Sequence, residues 1–369
     1  MRIGIDCHTI GSRSGGNENY TANLVRALLQ IDQRNEYRLY VTHPSPDLPV
    51  LARAPNVTIV PLPVHAPVVR IPFAMPAELY RHPVDVLHVQ YISPPFGRTP
   101  VVNMVHDLGH FYAPQFFPRL EVWRQRLLLP RSIRRAARVL TGSVYWRDAI
   151  MEAFGVPPDR IGVTYPGVSD DFHRVGGKEL TDVLARHEIV GPYLVCVGNI
   201  QPRKNLRGVL DALALLKRDE GIPHRLVIVG RAAWLYKDVF TRVHELGLED
   251  DVRFTSYVPY ADLPALYSGA DALVYPSFFE GFGSPPVEAM ACGTPVVVST
   301  RPAFPEILGD AAVMVEPAEP EDIARGIRQI LRDPAFRDGL IARGYERARR
   351  YRWEETARQT LAVFGEVAS

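Results

Sequence analysis

Glu280 and Glu288 stand eight positions apart in the segment FFEGFGSPPVEAMACGTPVV, flanking a Gly-Phe-Gly loop at the opening of a predicted helix. A carboxylate accepts hydrogen bonds from sugar or ribose hydroxyls, and a helix start attracts phosphate through its unpaired N–H groups. Pro285 and Pro286 suit such a start, where a missing N–H costs little. Upstream, VGNIQPRKNL ends a β-rich run at Gly198 and sets Arg203 and Lys204 just before a helix expected from Asn205. Two adjacent cations at the C-terminal edge of a parallel sheet suit a diphosphate. Alone, an Arg-Lys pair reads as a solvated basic turn. The carboxylates, glycines and helix start that follow make a constellation of it. A glycine loop, Gly11 to Gly16, lies between the first β-rich run and the first helical one, where backbone could approach a ligand. A tight turn needing positive φ explains it equally well. His106-Asp107 closes another β-rich run, a pair that without further context reads as structural.

These residues sit in a regular alternation. The runs RIGID, EYRLYVT, NVTIVPL, VDVLHV and TPVVNMVHD are separated by Pro- and Gly-marked loops, and YTANLVRALLQI carries Leu24, Val25, Leu28 and Leu29 at helical spacing from a start near Asn17 or Glu18. A second series runs from YLVCVGN through RLVIVG, VRFTSYV and ALVYPS to PVVVST, with helical segments between, and the chain is helical from about Pro320. Two βαβ series predict an α/β protein of two Rossmann-like domains whose parallel sheets face a cleft. The glycine-, proline- and charge-rich stretch between Tyr165 and Pro192 reads as the linker region, with domains over 1–170 and 171–351.

Composition narrows the function. At 369 residues, 47% hydrophobic and 22% charged, with a formal charge of +1, the chain is an ordinary globular one with no overall field for nucleic acid. Cys7, Cys196 and Cys292 are far apart in apolar surroundings and read as buried thiols. The N-terminus lacks the apolar core of a signal peptide and no run of about 18 apolar residues occurs, so a cytoplasmic location is expected. Arg119 to Arg138 holds seven arginines against the single acid Glu121, among Val122, Leu127 to Leu129 and Ile133. Such a stretch can touch anionic lipid at the inner membrane face, although a solvated helix is the plainer account.

Over nearly its whole length the chain resembles retaining nucleotide-sugar glycosyltransferases of family 4, which have the GT-B fold. The likeness rests on the glycine loop, NMVHDL, RVLTGS, GVPPDRIGVTYPGVSDDF, VGNIQPRKNL, the long segment from YVPYADL through FFEGFGSPPVEAMACGTPVV, and the closing YRWEETARQTLAVF. It implies that Glu288 holds the donor ribose, that Glu280 contacts the transferred sugar, and that Arg203 and Lys204 bind the diphosphate. Backbone around Phe282, Gly283 and Ser284 would hold sugar and phosphate, with Gly198 also on the donor side. Val258 would lie by the base, Gly15 and Gly16 near donor phosphates and acceptor, and His106 beside the sugar. The helix over 352–369 would cross back to complete the first domain. The segment GNENY departs from the Gly-x-Gly-x-Tyr-like form common in the family, which leaves a role for Glu18 open.

The implied activity is mannosyltransferase-like transfer of a hexose from GDP-mannose or UDP-glucose to a sugar, lipid-linked or small-molecule hydroxyl acceptor in polysaccharide or glycoconjugate synthesis. No Asp-x-Asp occurs and the family's cations stand in for a metal, so no cofactor and no metal are expected. A nucleotide-sugar-binding subunit without catalysis, or a sugar phosphorylase or synthase on the same fold, are the competing readings. A dehydrogenase is disfavoured, because neither half spells G-x-G-x-x-G.

Overall fold

A computed structural model of the chain describes all residues except 13, 14, 46 and 63, and of residue 47 the backbone only. Arg13 and Ser14 of the glycine loop therefore lie outside the described residues. The chain divides into two units, Met1–Pro114 with Arg119–Gly167 and Arg352–Ser369, and Gln115–Pro118 with Val168–Tyr351.

In the first unit, β1 (Arg2–Asp6), β2 (Glu36–Val41), β3 (Val57–Pro61), β4 (Val86–Gln90), β5 (Val101–Met104), β6 (Arg138–Thr141) and β7 (Ile161–Val163) pair in the order β3-β2-β1-β4-β5-β6-β7. All pairings are parallel, with Ile3 opposite both Tyr37 and Val86. Strands covered on both faces need apolar residues nearly throughout, and β4 is buried at every position. The Gly16–Ile31 helix turns Leu24, Val25 and Leu28 into the same core. The Trp353–Ala368 helix packs on it, burying Ala357, Thr360 and Phe364, while Trp353 and Leu361 are half-buried. A stripe at helical spacing is thus fully used in packing.

In the second unit, β8 (Tyr193–Val197), β9 (Arg225–Val229), β10 (Val252–Ser256), β11 (Ala272–Tyr275), β12 (Val296–Ser299) and β13 (Val313–Val315) pair in parallel in the order β10-β9-β8-β11-β12-β13. Succession runs outward from β8 in one direction through β9 and then restarts at β11 on its other side. The gap between β8 and β11 is the topological switch point, where a crevice opens beyond the strand ends. Leu206–Glu220 and Pro320–Arg332 cover one face and bury Leu210, Leu213 and Ile327.

Two expectations are refined and three strands are added. The stretch read as the linker region, Tyr165 to Pro192, contains the boundary between the units, but from Val168 on it packs into the second unit: Phe172, Val175 and Val183 are buried, Phe172 packs edge-on against Tyr260, and the Val175 N–H donates to Ser268 Oγ at 2.9 Å. Its polar residues merely form the outer face of the Gly177–Arg186 helix. The unit boundary falls at Gly167/Val168 instead of 170/171, and Gln115–Pro118 belongs to the second unit. There the Phe116 ring stacks on Phe278 (5.3 Å) and its carbonyl accepts the Trp234 indole N–H at 2.8 Å. Strands β6, β7 and β13, of three or four residues each, were not among the runs read as strands. All three cysteines are buried free thiols.

Phe364→Ala should cost about 3–5 kcal/mol, because it empties a fully buried aromatic position in the first unit's core. Calorimetric melting tests this, and an unshifted transition would mean that the C-terminal helix adds nothing to that unit.

Candidate active site

The loop after β8 decides where the cations go. Gly198 takes φ +140°, and a Cβ there would lie 3.3 Å from Lys204 Cε, so the glycine leaves the lysine its path. A one-turn helix, Pro202–Lys204, ends at Asn205 in the left-handed region, and the Asn205 amide donates to the Pro276 and Pro317 carbonyls at 3.2 and 2.5 Å. The Phe278 N–H in turn donates to the Arg203 carbonyl at 2.9 Å. The loops following β8 and β11 are thereby tied together at the switch point.

Glu280 sits between the two cations. Arg203 Nη1 donates to Glu280 Oε2 and to the Phe279 carbonyl, both at 2.9 Å. Lys204 Nζ donates to Glu280 Oε1 at 2.7 Å and to the Tyr275 hydroxyl, and lies 4.4 Å above the Tyr275 ring. Burial alone would raise the Glu280 carboxyl; the opposed charges of Arg203 and Lys204 outweigh it and hold the group down at about 2. Two cations against one ionised carboxylate leave one net positive charge. The trio is therefore fixed by its own ion pairs and still attracts an anion.

Glu288 has the opposite environment. It lies on the Ser284–Ala291 helix, is buried, and accepts the Tyr267 hydroxyl at 2.9 Å. Burial raises its carboxyl to about 7, against which the tyrosine bond works only in part. Gly283 caps this helix at φ +84°, where a Cβ would meet Phe304 Cε1 at 2.5 Å. Pro285 and Pro286 carry no N–H, so of the groups at the start of this helix only the N–H groups of Gly283 and Ser284 are open to a ligand. The Phe282 ring is buried edge-on against Tyr351 at 5.2 Å, which leaves its backbone as the part of that residue available to a ligand. Val258 is buried beyond β10, at the same sheet edge but two strands from β8.

In the first unit His106 follows β5, and its Nε2 lies 2.7 Å from Gln90 Oε1. The Gln90 amide nitrogen donates to Thr21 Oγ1 and, at 3.4 Å, to the Asn17 carbonyl, so its oxygen faces the imidazole and Nε2 carries the ring proton. Nδ1 is then an acceptor. Burial, followed by the nearby His88, lowers His106 to about 3 and keeps it neutral at ordinary pH. Tyr20 meets the ring edge-on at 4.6 Å. Asp107 serves its own turn, accepting the Gly109 N–H at 2.8 Å. Gly15 caps the first helix at φ +82°, whereas a Cβ at Gly16 would meet nothing within 4 Å. Glu18 plays a structural part, since it accepts the Gly11 N–H at 2.7 Å and latches the loop onto the helix.

Sequence reading missed Tyr275, Tyr267 and Gln90, the partners of Lys204, Glu288 and His106. The two tyrosines stand 71 and 21 positions from the groups they touch, and Gln90 stands 16 from His106, so no local motif links them. Among the described residues no group of three or more His, Cys, Asp and Glu could hold a metal ion, and no helix is long and apolar enough to cross a membrane.

Two parallel α/β sheets, the second with a cationic cluster at its switch point, define a Rossmann-type protein of two units with an anion-attracting site. The family model described as Glycosyltransferase Family 4 matches residues 14–172, and that described as Glycosyl transferases group 1 matches residues 187–347. O-antigen chain mannosyltransferase B of Escherichia coli is 36% identical over 265 residues, 71% of this chain and 69% of that one. O-antigen chain mannosyltransferase RfbU of Salmonella typhimurium is 35% identical over 227 residues, 61% of this chain and 59% of that one, less than two thirds of its length. Sucrose-phosphate synthase from Thermosynechococcus elongatus superposes with a TM-score of 0.79 at 20% identity, over 100% of this chain and 99% of that one. The chain belongs to glycosyltransferase family 4, and its fold is GT-B.

The raised Glu288 carboxyl predicts a stability signature. Protonation favours the folded state, an advantage complete below the unfolded value near 4.5 and lost as pH rises through about 7. Glu288→Gln should therefore gain in melting temperature over the parent progressively between pH 5 and 8. A gap that stays constant across that range would contradict the assignment.

Proposed function

We propose that this glycosyltransferase moves a mannosyl residue from GDP-mannose to a hydroxyl of a growing glycan of the O-antigen kind, with retention of configuration and without a metal ion. The observation carrying this reading is the Arg203–Lys204–Glu280 trio at the switch point, whose net positive charge suits a diphosphate. The mannosyl and glycan assignments are supported by the likeness to the O-antigen mannosyltransferases of Escherichia coli and Salmonella. The reaction is assigned to the cytoplasm, with the acceptor sugar carried on a lipid at the inner membrane face.

Donor binding is assigned to the second unit. Ribose hydroxyls donate to Glu288, which they drive toward its ionised form, and the diphosphate lies on Arg203 and Lys204. Glu280 keeps both cations aimed and accepts a hydroxyl of the sugar. Backbone N–H groups at Gly283 and Ser284 supplement the cations, and the loops of Gly198 and Val258 border the nucleotide. Acceptor binding is assigned to the first unit, where Gly15 and Gly16 border both the donor phosphates and the acceptor. His106, neutral and with Nδ1 as acceptor, takes a sugar hydroxyl.

Transfer breaks the bond between the anomeric carbon and the β-phosphate oxygen. As it opens, positive charge grows on the sugar and negative charge on the departing diphosphate, which Arg203 and Lys204 stabilise. The acceptor oxygen bonds to the anomeric carbon on the face the phosphate leaves, and its proton passes to the departing phosphate oxygen. Configuration is retained with no covalent enzyme intermediate, unlike the retaining hydrolases. Glu280, tied to two cations, stays a positioning carboxylate and not a nucleophile.

Arg203→Ala should lower turnover of GDP-mannose by roughly 100- to 1,000-fold while changing donor Kd only a few-fold, because its charge is needed most as the leaving group departs. Glu288→Ala should weaken donor binding by about ten-fold or more. Calorimetric GDP-mannose binding and GDP release onto a mannose-terminated acceptor measure both, with chelator leaving the rates unchanged. Full turnover in the arginine variant, or loss of activity on chelation, would contradict the mechanism; binding of UDP-glucose in preference to GDP-mannose would redirect the donor.

A further inference from the structure

We propose that His8 and His43, on the loops after β1 and β2, form a subsite of the first unit that accepts hydrogen bonds from hydroxyls of the acceptor sugar. His8 lies two residues beyond β1, and the order β3-β2-β1-β4 puts β1 where strand succession reverses in its sheet. The crevice outside the strand ends at such a reversal is where a doubly wound sheet takes its ligand. The His8 imidazole is oriented by a buried ion pair. Its Nδ1 lies 3.0 Å from Asp6 Oδ1, and Arg70 Nη1 donates to Asp6 Oδ2 at 2.6 Å. The Asp6 and Arg70 side chains are 6% and 3% exposed, and Arg70 Nε has no hydrogen-bond partner. Burial alone would raise the Asp6 carboxyl; His8 and Arg70 outweigh it and hold the group well below the ordinary carboxylate range. An ionised carboxylate only accepts, so Nδ1 carries a proton and, in the neutral ring, Nε2 keeps its lone pair. His8 is 30% exposed, and its Nε2 has no hydrogen-bond partner among the described residues. A pair this buried costs free energy to desolvate, and the group it fixes is a partly exposed imidazole.

Thr42 repeats the device on the next loop. Its hydroxyl has one proton and donates it to the His8 carbonyl at 3.2 Å, so it accepts from His43 Nδ1–H at 2.9 Å. His43 is thereby held in the same tautomer, and its Nε2 is likewise an acceptor without a partner among the described residues. The exposed His65, on the loop after β3, packs its ring on that of His43 with centroids 4.5 Å apart. Gly11 lets the first two loops close up: a Cβ there would meet the Pro44 carbonyl oxygen at 2.5 Å and His43 Cβ at 3.1 Å. Thr9, next to His8, shares a hydrogen bond of 3.0 Å with Thr21, to which the Gln90 amide that faces His106 also donates. The subsite is therefore tied to the network that fixes His106. Two imidazoles that each offer a lone pair at Nε2 repel a phosphate oxygen and suit a hydroxyl. The subsite accordingly takes the neutral sugar itself and not the phosphate of a carrier.

This inference rests on the reading of the chain as a glycan-extending transferase. The intact protein is titrated with a mannose-terminated oligosaccharide, followed by saturation-transfer NMR, with no nucleotide present. In H8N and H43N the asparagine amide can keep the hydrogen bond to Asp6 or to Thr42 while the distal lone pair is lost. Each should weaken oligosaccharide binding about five-fold and H8N/H43N roughly 25-fold, with melting temperature and GDP-mannose affinity unchanged. A parent chain that binds no oligosaccharide, a double variant that binds it like the parent, or displacement of the oligosaccharide by inorganic phosphate would overturn the inference. So would equal losses of oligosaccharide and GDP-mannose binding, which would make the two histidines structural. Oligosaccharide binding that the double variant loses, in a chain that does not bind GDP-mannose, would uphold the subsite and fail the donor assignment alone.

Discussion

Glu280 is surrounded by charge it cannot leave. Both its oxygens are held by cations from the loop after β8, and the carboxylate itself hangs on the loop after β11. In a buried position such a pair is costly to desolvate, and removing one partner costs more than removing all, because the remainder is left uncompensated. The three side chains consequently fix one another's placement. The same constraint fixes the sheet: only strands on opposite sides of the reversal in order bring these two loops together, and the Asn205 amide and the Phe278 N–H stitch them along the backbone. Everything assigned to the diphosphate depends on that knot.

The two carboxylates of the motif illustrate how environment separates roles. Glu280, facing two cations, is ionised throughout the working range, whereas Glu288, facing only a tyrosine hydroxyl in a buried setting, titrates near neutrality. A group poised in this way has the most to gain from incoming hydroxyl donors, and a group already paired has the least freedom to move. His106 completes the contrast, since burial keeps it neutral and Gln90 fixes which nitrogen carries the proton.

Much of this was legible from spacing. The Gly-Phe-Gly loop between Glu280 and Glu288, and Arg203-Lys204 before a helix, pointed to one sheet edge because βαβ repeats deliver loops there. The groups completing the site were not legible. Tyr275 and Tyr267 look like ordinary core aromatics of a strand and a short helix, and only the packing of β11 and of the Ser284–Ala291 helix turns their hydroxyls toward Lys204 and Glu288. Glu18 looked like a departure from a family pattern and proves to latch the glycine loop. The stretch from 168 to 192 misled because composition reports exposed faces, and its few buried residues, Phe172, Val175 and Val183, are what tie it to the second unit.

Arg203 and Lys204 are proposed to read a diphosphate together. The most direct test is calorimetric comparison of GDP with guanosine, and of UDP with uridine, on the parent chain and on Arg203→Ala/Lys204→Ala. The parent should bind one diphosphate far more tightly than its nucleoside, and the double variant should bind the two almost alike while keeping its nucleoside affinity. A double variant that still prefers the diphosphate by the parent's margin would contradict it.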